Sequence, residues 1–216
     1  FVLQANTESF WSADENELET RKHDLSFTTE FERGDQFNVA ISDEFEMINR
    51  PFQIAPNVIL QPGDYDFTSY RVSYRLGTQR QFSGTLSLRG GDFWSGTNTA
   101  IGFSGGRIEL SPQLSVEPSY SYNRIELPEG DFRTELGRFR VTYTISPRMY
   151  FSGLVQYDSR ASSFSSNFRF RWEWAPGSEM FVVYSDDRDT DPFGNPSSME
   201  LRNRGWAIKI NRLFQI

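Results

Sequence analysis

From Asn167 to Trp174 the chain reads Asn-Phe-Arg-Phe-Arg-Trp-Glu-Trp, an unbroken alternation of polar and aromatic residues. A β-strand sends successive side chains to opposite faces, so strict period-two alternation makes a two-faced strand. Here Phe164, Phe168, Phe170, Trp172 and Trp174 share one face, and Ser165, Asn167, Arg169, Arg171 and Glu173 share the other. Residues 132–145 repeat the pattern, with Phe139, Val141, Tyr143 and Ile145 against Arg138, Arg140, Thr142 and Thr144. The closing run from Trp206 to Ile216 is of the same kind. The alternation predicts twelve strands, at roughly 1–10, 20–32, 36–48, 65–76, 80–90, 97–110, 113–126, 132–145, 149–158, 163–174, 179–187 and 201–216.

Strands of this kind can bury their aromatics between two sheets or turn them toward lipid around a polar interior. Arginines recurring along so many strands argue against a soluble β-sandwich. An arginine held at the bilayer midplane costs about 2–4 kcal/mol, which puts the arginine face inside and the aromatic face outside. The expected fold is therefore all-β: a transmembrane antiparallel up-and-down β-barrel of about twelve strands, with residues 1–216 as one outer-membrane domain.

Connections of two kinds alternate. Arg33-Gly-Asp35, Gly77-Thr-Gln79, Ser111-Pro112, Ser146-Pro-Arg148 and Ala175-Pro-Gly-Ser178 are hairpin-sized and rich in turn formers. The segments 11–19, 49–64, 91–96, 127–131, 159–162 and 188–200 are mostly longer. Short turns at the periplasmic end and longer loops at the extracellular end are the pattern of bacterial barrels. Trp172, Trp174, Tyr143 and Phe214 are expected to form a lipid-facing girdle at the turn end, and Tyr122, Tyr157, Tyr184 and Trp206 one at the loop end.

Composition supports a membrane without a helix. Mean hydropathy is −0.56, and no apolar run approaches the ~18 residues that a spanning helix needs. A barrel strand needs about 9–11 residues, half of them facing lipid. Aromatics make up 16% of the chain, and 20 residues are Phe, more than a soluble β domain usually carries. There are no cysteines, so disulfides and thiolate metal sites are excluded. A formal charge of −7 argues against a nucleic-acid partner. Of the 22 basic residues only Lys22 and Lys209 are lysines, and arginine is the cation suited to planar pairing with carboxylate or phosphate in a confined space. The chain opens in the apolar segment Phe1-Val-Leu-Gln-Ala5 with no signal peptide, the look of a mature or truncated piece with upstream strands or domains.

Four stretches carry a family resemblance: Gln61-Pro-Gly-Asp-Tyr-Asp-Phe67, Leu154-Val-Gln-Tyr-Asp158, Asn167-Phe-Arg-Phe-Arg-Trp-Glu-Trp-Ala-Pro-Gly-Ser178 and Met180-Phe-Val-Val-Tyr184. Residues 45–216 resemble the C-terminal barrel of a bacterial outer-membrane family of unknown function. Many of its members carry an N-terminal domain like family-nine carbohydrate-binding modules. The resemblance implies an outer-membrane location and a larger parent protein, and no established activity. The N-terminal module is absent here. Two departures stand out: the chain ends in Ile216 where Phe is usual, and Arg212 stands where an aromatic is expected, near enough to the rim to snorkel.

The arginine face is the candidate functional surface. Arg71, Arg75, Arg89, Arg138, Arg140, Arg169 and Arg171 are expected to line later strands of a lumen, and Glu30, Glu32, Glu44 and Glu46 the early strands. Opposed acidic and basic walls would set up a transverse field that selects polar solutes. Alternatively the charges neutralise one another and plug a narrow barrel. The segment Arg50-Pro-Phe-Gln-Ile-Ala-Pro-Asn-Val-Ile-Leu-Gln-Pro-Gly63 is unusually apolar for a loop. It is expected to fold inward as a plug, cover a rim, or dock a protein partner.

Other chemistry is sparse. His23 is the only histidine, with Asp24 and Ser26 beside it, but on a strand His23 faces away from both, so no hydrolase triad is expected. The acidic groups Asp14, Glu15, Glu17, Glu19 and Asp186, Asp187, Asp189, Asp191 have the ligand chemistry for Ca²⁺, yet neither matches the twelve-residue calcium loop. Solvated loops near lipopolysaccharide are the simpler reading.

The expected function is non-enzymatic and cofactor-free: a porin-like channel or uptake component for small polar or anionic solutes in a Gram-negative outer membrane, surrounded by membrane lipid and lipopolysaccharide. The alternative is a closed structural or partner-docking barrel that anchors a periplasmic domain or joins a surface complex.

Overall fold

The computed structural model describes residues 1–13, 17–191 and 199–213, and among them there are strands and no helix. Fourteen strands follow in order: β1 (Val2–Trp11), β2 (Leu18–Glu30), β3 (Gln36–Ile48), β4 (Phe52–Ala55), β5 (Val58–Leu60), β6 (Gly63–Leu76), β7 (Phe82–Phe93), β8 (Gly96–Ser111), β9 (Leu114–Glu126), β10 (Phe132–Ser146), β11 (Met149–Asp158), β12 (Ser163–Ala175), β13 (Ser178–Asp189) and β14 (Glu200–Asn211). Twelve hydrogen-bond in one sheet in the order β1-β2-β3-β6-β7-β8-β9-β10-β11-β12-β13-β14, and β4 pairs with β5 alone. Each sheet strand thus lies beside its neighbour in sequence, the order of an up-and-down meander.

The twelve expected strands are all present, most with ends moved by one to three residues. One end moves further, and one shift displaces a candidate residue. The last strand stops at Asn211, with Arg212 and Leu213 beyond it, while Phe214 and Ile216 lie outside the described residues. Glu32 belongs to the turn after β2 rather than to a strand.

The chain divides into two compact units, residues 1–80, 84–103 and 121–134 in the first and 81–83, 104–120 and 135–216 in the second. In the first, the register sets Leu3, Phe27, Val39, Val72 and Leu88 in one row across β1, β2, β3, β6 and β7. The next row on the opposite face is Gln4, Ser26, Ala40, Arg71 and Arg89. In the second unit, Tyr143, Phe151, Phe170, Val182 and Ile208 make an apolar row across β10 to β14, followed on the same face by Val141, Gly153, Phe168, Tyr184 and Trp206. Gly153 is needed there, because a Cβ would meet Cδ1 and Cε1 of the Phe168 ring at 2.8 and 2.9 Å. Many of these apolar residues are exposed, including Leu3, Phe27, Val72, Leu88, Tyr143, Phe151, Trp206 and Ile208. Aromatic contacts tie the face together without removing it from its surroundings: Phe151 stacks on Phe168 at 6.0 Å, Phe168 on Tyr184 at 6.3 Å, and Tyr184 meets Trp206 at 4.6 Å.

A compact apolar core forms at one place, in the first unit. The segment expected as an apolar loop folds as the β4–β5 hairpin, pairing Phe52 with Leu60 and Ala55 with Val58. Val58 and the fully buried Leu60 pack with Ile48, Ile125 and Leu127, flanked by Ile54, Tyr65, Phe93, Trp94 and Phe132. Ile48 has the strand parity of Glu44 and Glu46, so the hairpin sits on the polar face, at the end where β3 and β6 are joined by their long connection. Trp94 donates from Nε1 to Glu46 Oε2 at 2.7 Å and meets Phe52 and Phe67 edge-on. Phe52 and Ile59 stay exposed.

At the other end of the same unit, Asp35 is buried between two turns. Its carboxylate accepts from Gly77 N at 2.8 Å, Tyr74 OH at 3.0 Å, Arg80 Nε at 3.0 Å and Arg80 Nη2 at 2.5 Å. The Arg80 hydrogen bond, with help from the Gly77 amide, lowers the Asp35 pKa from 3.8 to about 2, and the Arg80 pKa is raised by the same bond. A depressed carboxylate stabilises the fold above its ordinary pKa and loses that contribution as pH falls through the folded value. Stability is therefore expected to decline between about pH 4 and pH 2, and Asp35→Asn to remove that part of the acid transition. An acid titration of tryptophan fluorescence on the folded chain checks this; identical profiles for the two proteins would refute it.

Candidate functional site

Within each unit the arginines expected to line a lumen share the polar strand face, Arg71, Arg75 and Arg89 in the first and Arg138, Arg140, Arg169 and Arg171 in the second. Arg71 of β6 and Arg89 of β7 stand directly opposite each other, and Arg75 lies two rows further toward the turn end. Their neighbours in the rows are neutral: Ala40 beside Arg71, Gln36 beside Arg75, and Thr85 on the other side of Arg75. In the second unit Arg138 is flanked by Gln156, Arg140 by Leu154, and Arg169 by Ser152 and Val183.

The arginines differ in what holds them. Arg171 is committed: it bonds Glu179 at 2.8 Å, reaches Glu173 at 3.6 Å and lies 5.7 Å from the Phe181 ring centre. Arg140 approaches Glu117 at 4.0 Å, and Glu117 also holds Arg107 at 3.5 Å. For Arg71, Arg75, Arg89, Arg138 and Arg169, no carboxylate stands within ion-pair distance among the described residues. Arg138 and Arg140 line a cavity of about 240 Å³ together with Glu117, Ser119 and Leu154. A guanidinium without a carboxylate keeps its planar fork of donors for a carboxylate or phosphate from outside.

The acids are placed elsewhere on the same face of the first unit. Glu44 pairs with Lys22 at 3.3 Å and Glu46 accepts from Trp94, both toward the hairpin end, while Glu30 stands opposite Gln36 near the turn. Glu8, Lys22, Glu44 and Glu46 line a separate recess of about 160 Å³. Glu44 and Glu46 thus lie toward the hairpin end, while Glu30 shares the turn-end row of Gln36 and Arg75. Alternation alone assigns faces and carries no information about this lengthwise order.

The apolar face holds the expected girdle residues. Tyr143, Trp172 and Trp174 lie toward the turn end and are exposed, and Trp172 and Trp174 meet edge-on at 5.9 Å. Trp206, expected in a girdle at the loop end, is exposed but stands mid-strand on β14 opposite Tyr184, one same-face row from Val182 and Ile208. Phe214 lies outside the described residues.

His23 stands on the apolar face with Thr7 Oγ1 3.1 Å from its Nδ1. Asp24, on the other face, accepts from Ser42 Oγ at 2.5 Å, so His23, Asp24 and Ser26 do not assemble. Asp14 and Glu15 lie outside the described residues. Asp186 and Asp187 lie on β13 as expected, Asp189 closes the same strand rather than lying in the loop, and Asp186 and Asp189 are held by arginines. Among the described residues no group of three or more His, Asp or Glu is placed to hold a metal ion.

No protein-family model matches the chain, and no curated protein matches it. The resemblance to the outer-membrane family of unknown function therefore rests on the quoted stretches alone. Among solved structures the chain is similar to a NanC porin structure in a rhombohedral crystal form, at 12% identity, with 99% of this chain and 100% of that chain covered and a TM-score of 0.35.

Proposed function

We propose that the twelve-stranded sheet closes into a transmembrane β-barrel of a Gram-negative outer membrane, and that it works as a passive channel for small polar or anionic solutes. The observation that carries the reading is the pairing of two faces. In each unit one face is apolar, aromatic and exposed across neighbouring strands, and the other holds arginines with no acid within ion-pair distance among the described residues, Arg71, Arg75 and Arg89 in the first unit and Arg138 and Arg169 in the second. Water leaves the first face costly, and lipid satisfies it. In lipid, an open sheet edge would leave backbone groups unsatisfied, which closure removes. The unpaired arginines would then give the interior a positive field that admits anions and holds them weakly through guanidinium forks. No residue is assigned a catalytic role.

The hairpin on the polar face favours a second reading, a closed barrel that anchors or docks a partner. Conductance separates the two. The refolded chain in a planar bilayer is expected to give steady, anion-selective steps. Arg71→Ala with Arg89→Ala, or Arg140→Ala with Arg169→Ala, is expected to reduce the anion preference. A heat-modifiable, folded chain that stays electrically silent would exclude the channel and leave the closed barrel.

A further inference from the structure

On the apolar face of the second unit one row departs from its neighbours. Beyond the row Val141, Gly153, Phe168, Tyr184, Trp206 comes Phe139, Val155, Ser166, Asp186, Arg204, so an acid and an arginine stand where alternation puts apolar side chains. Asp186 is buried, 6% exposed at its side chain, and it serves two arginines at once. Arg188 Nε donates to Oδ1 at 2.7 Å, Arg204 Nε to Oδ2 at 2.7 Å, and Tyr184 OH to Oδ2 at 3.2 Å. Two cations share one anion, so the cluster keeps a positive charge. Both arginine side chains remain more than a third exposed, and Asp186 takes up only Nε of Arg188 and Nε and Nη2 of Arg204 among their five N–H donors each.

Next to this cluster lies a cavity of about 270 Å³ lined by Phe151, Phe168, Phe170, Val182, Tyr184 and Trp206, without a charged residue. It spans β11 to β14, roughly 14 Å across at the ordinary spacing of strands. That is wider than a single acyl chain. Tyr184 belongs to both features: its ring lines the cavity and its hydroxyl bonds Asp186. The geometry points to a binding site for a phosphorylated, multiply acylated lipid of the lipid A type, its acyl chains on the aromatic floor and a phosphate on Arg188 and Arg204. The buried Asp186 fixes the two forks at a set separation, which favours a rigid phosphate over a diffuse negative surface. The cluster stands at the end of β13 and β14 opposite the short Ala175–Ser178 turn, the end that faces the lipopolysaccharide leaflet in the barrel proposed above. The inference rests on that membrane reading.

Native mass spectrometry of the chain refolded in zwitterionic micelles, titrated with diphosphoryl lipid A, tests it. The unaltered chain is expected to retain one lipid A. The double substitution Arg188→Gln, Arg204→Gln is expected to lower retention about tenfold, through loss of charge-assisted contacts to one phosphate. Lys209→Gln, on the same β14 but the opposite face, is expected to change nothing. If the double variant does not fold, Arg188→Gln alone leaves Asp186 its bond from Arg204 and is expected to give a partial loss. Equal retention of dephosphorylated lipid A would overturn the phosphate role, and equal retention of phosphatidylglycerol would overturn the choice of lipid. A chain that folds in micelles, shows heat-modifiability and retains no lipid A overturns this inference and leaves the membrane reading standing. A chain that does not enter micelles overturns both.

Discussion

Val182→Arg is expected to lower the stability of the chain folded into lipid vesicles by about 2–4 kcal/mol, the cost of an arginine on the lipid face near the midplane. Val183→Arg, one residue on, is expected to change it by less than about 1 kcal/mol, most of that from like charge opposite Arg169. Both positions lie near the middle of β13, and both begin as valine, so strand propensity and side-chain volume change alike. Only the face differs: Val182 shares its row with Phe170 and Ile208, Val183 with Arg169 and Ala207. Urea titration of the two variants in vesicles, followed by tryptophan fluorescence, measures the difference. Equal costs would mean that the aromatic face does not meet lipid, and the barrel would go with it.

The second large effect concerns the hairpin. Leu60 is the one fully buried large side chain among the described residues, and Leu60→Ala is expected to cost about 2–5 kcal/mol in the packing of β4–β5 against Ile48, Ile125 and Leu127. The hairpin rests on the polar face, so its release is expected to raise the conductance of the refolded chain. Replacing residues 52–60 by a short flexible link is expected to raise it further. Hydrogen exchange at Val58 and Ile59 amides reads the loosening independently of conductance. Unchanged exchange in Leu60→Ala would show that the hairpin is held by something other than this core.

The strands were legible because each carries its own two-faced pattern, as in 163–174, where nearly every odd residue is polar and nearly every even one aromatic. Local alternation needs no knowledge of partners. What escaped the sequence depends on partners far along the chain. Ile48 and Phe67 break the polar face, and the folding of Val58 and Leu60 onto Ile48 and of Trp94 onto Phe67 explains them. The apolar loop was visible, but its prolines hid two short strands. Asp186 read as the solvated strand end beside an acidic loop, because Arg204, its second partner, is 18 residues away across a long connection. The arginine face was legible as a face; which arginines stand without an acid was not, because Glu117, Glu173 and Glu179 differ from other glutamates only by place.

Asp35 and Arg80 have a consequence for how the sheet finds its alignment. Most neighbours here are joined by short turns, and a tight turn dictates which residue faces which. β3 and β6 have no such guide: residues 49–62 separate them, a tether long enough to allow several pairings. A slip of one residue would invert every side chain of one strand against the sheet. The bonds from Asp35 to Gly77 and Arg80 lie at the opposite end of that pair, just beyond Gln36 and Arg75, and form in one alignment only. They stand in for the missing turn, proofreading the pairing from the far side and leaving the connection free to vary in length and content.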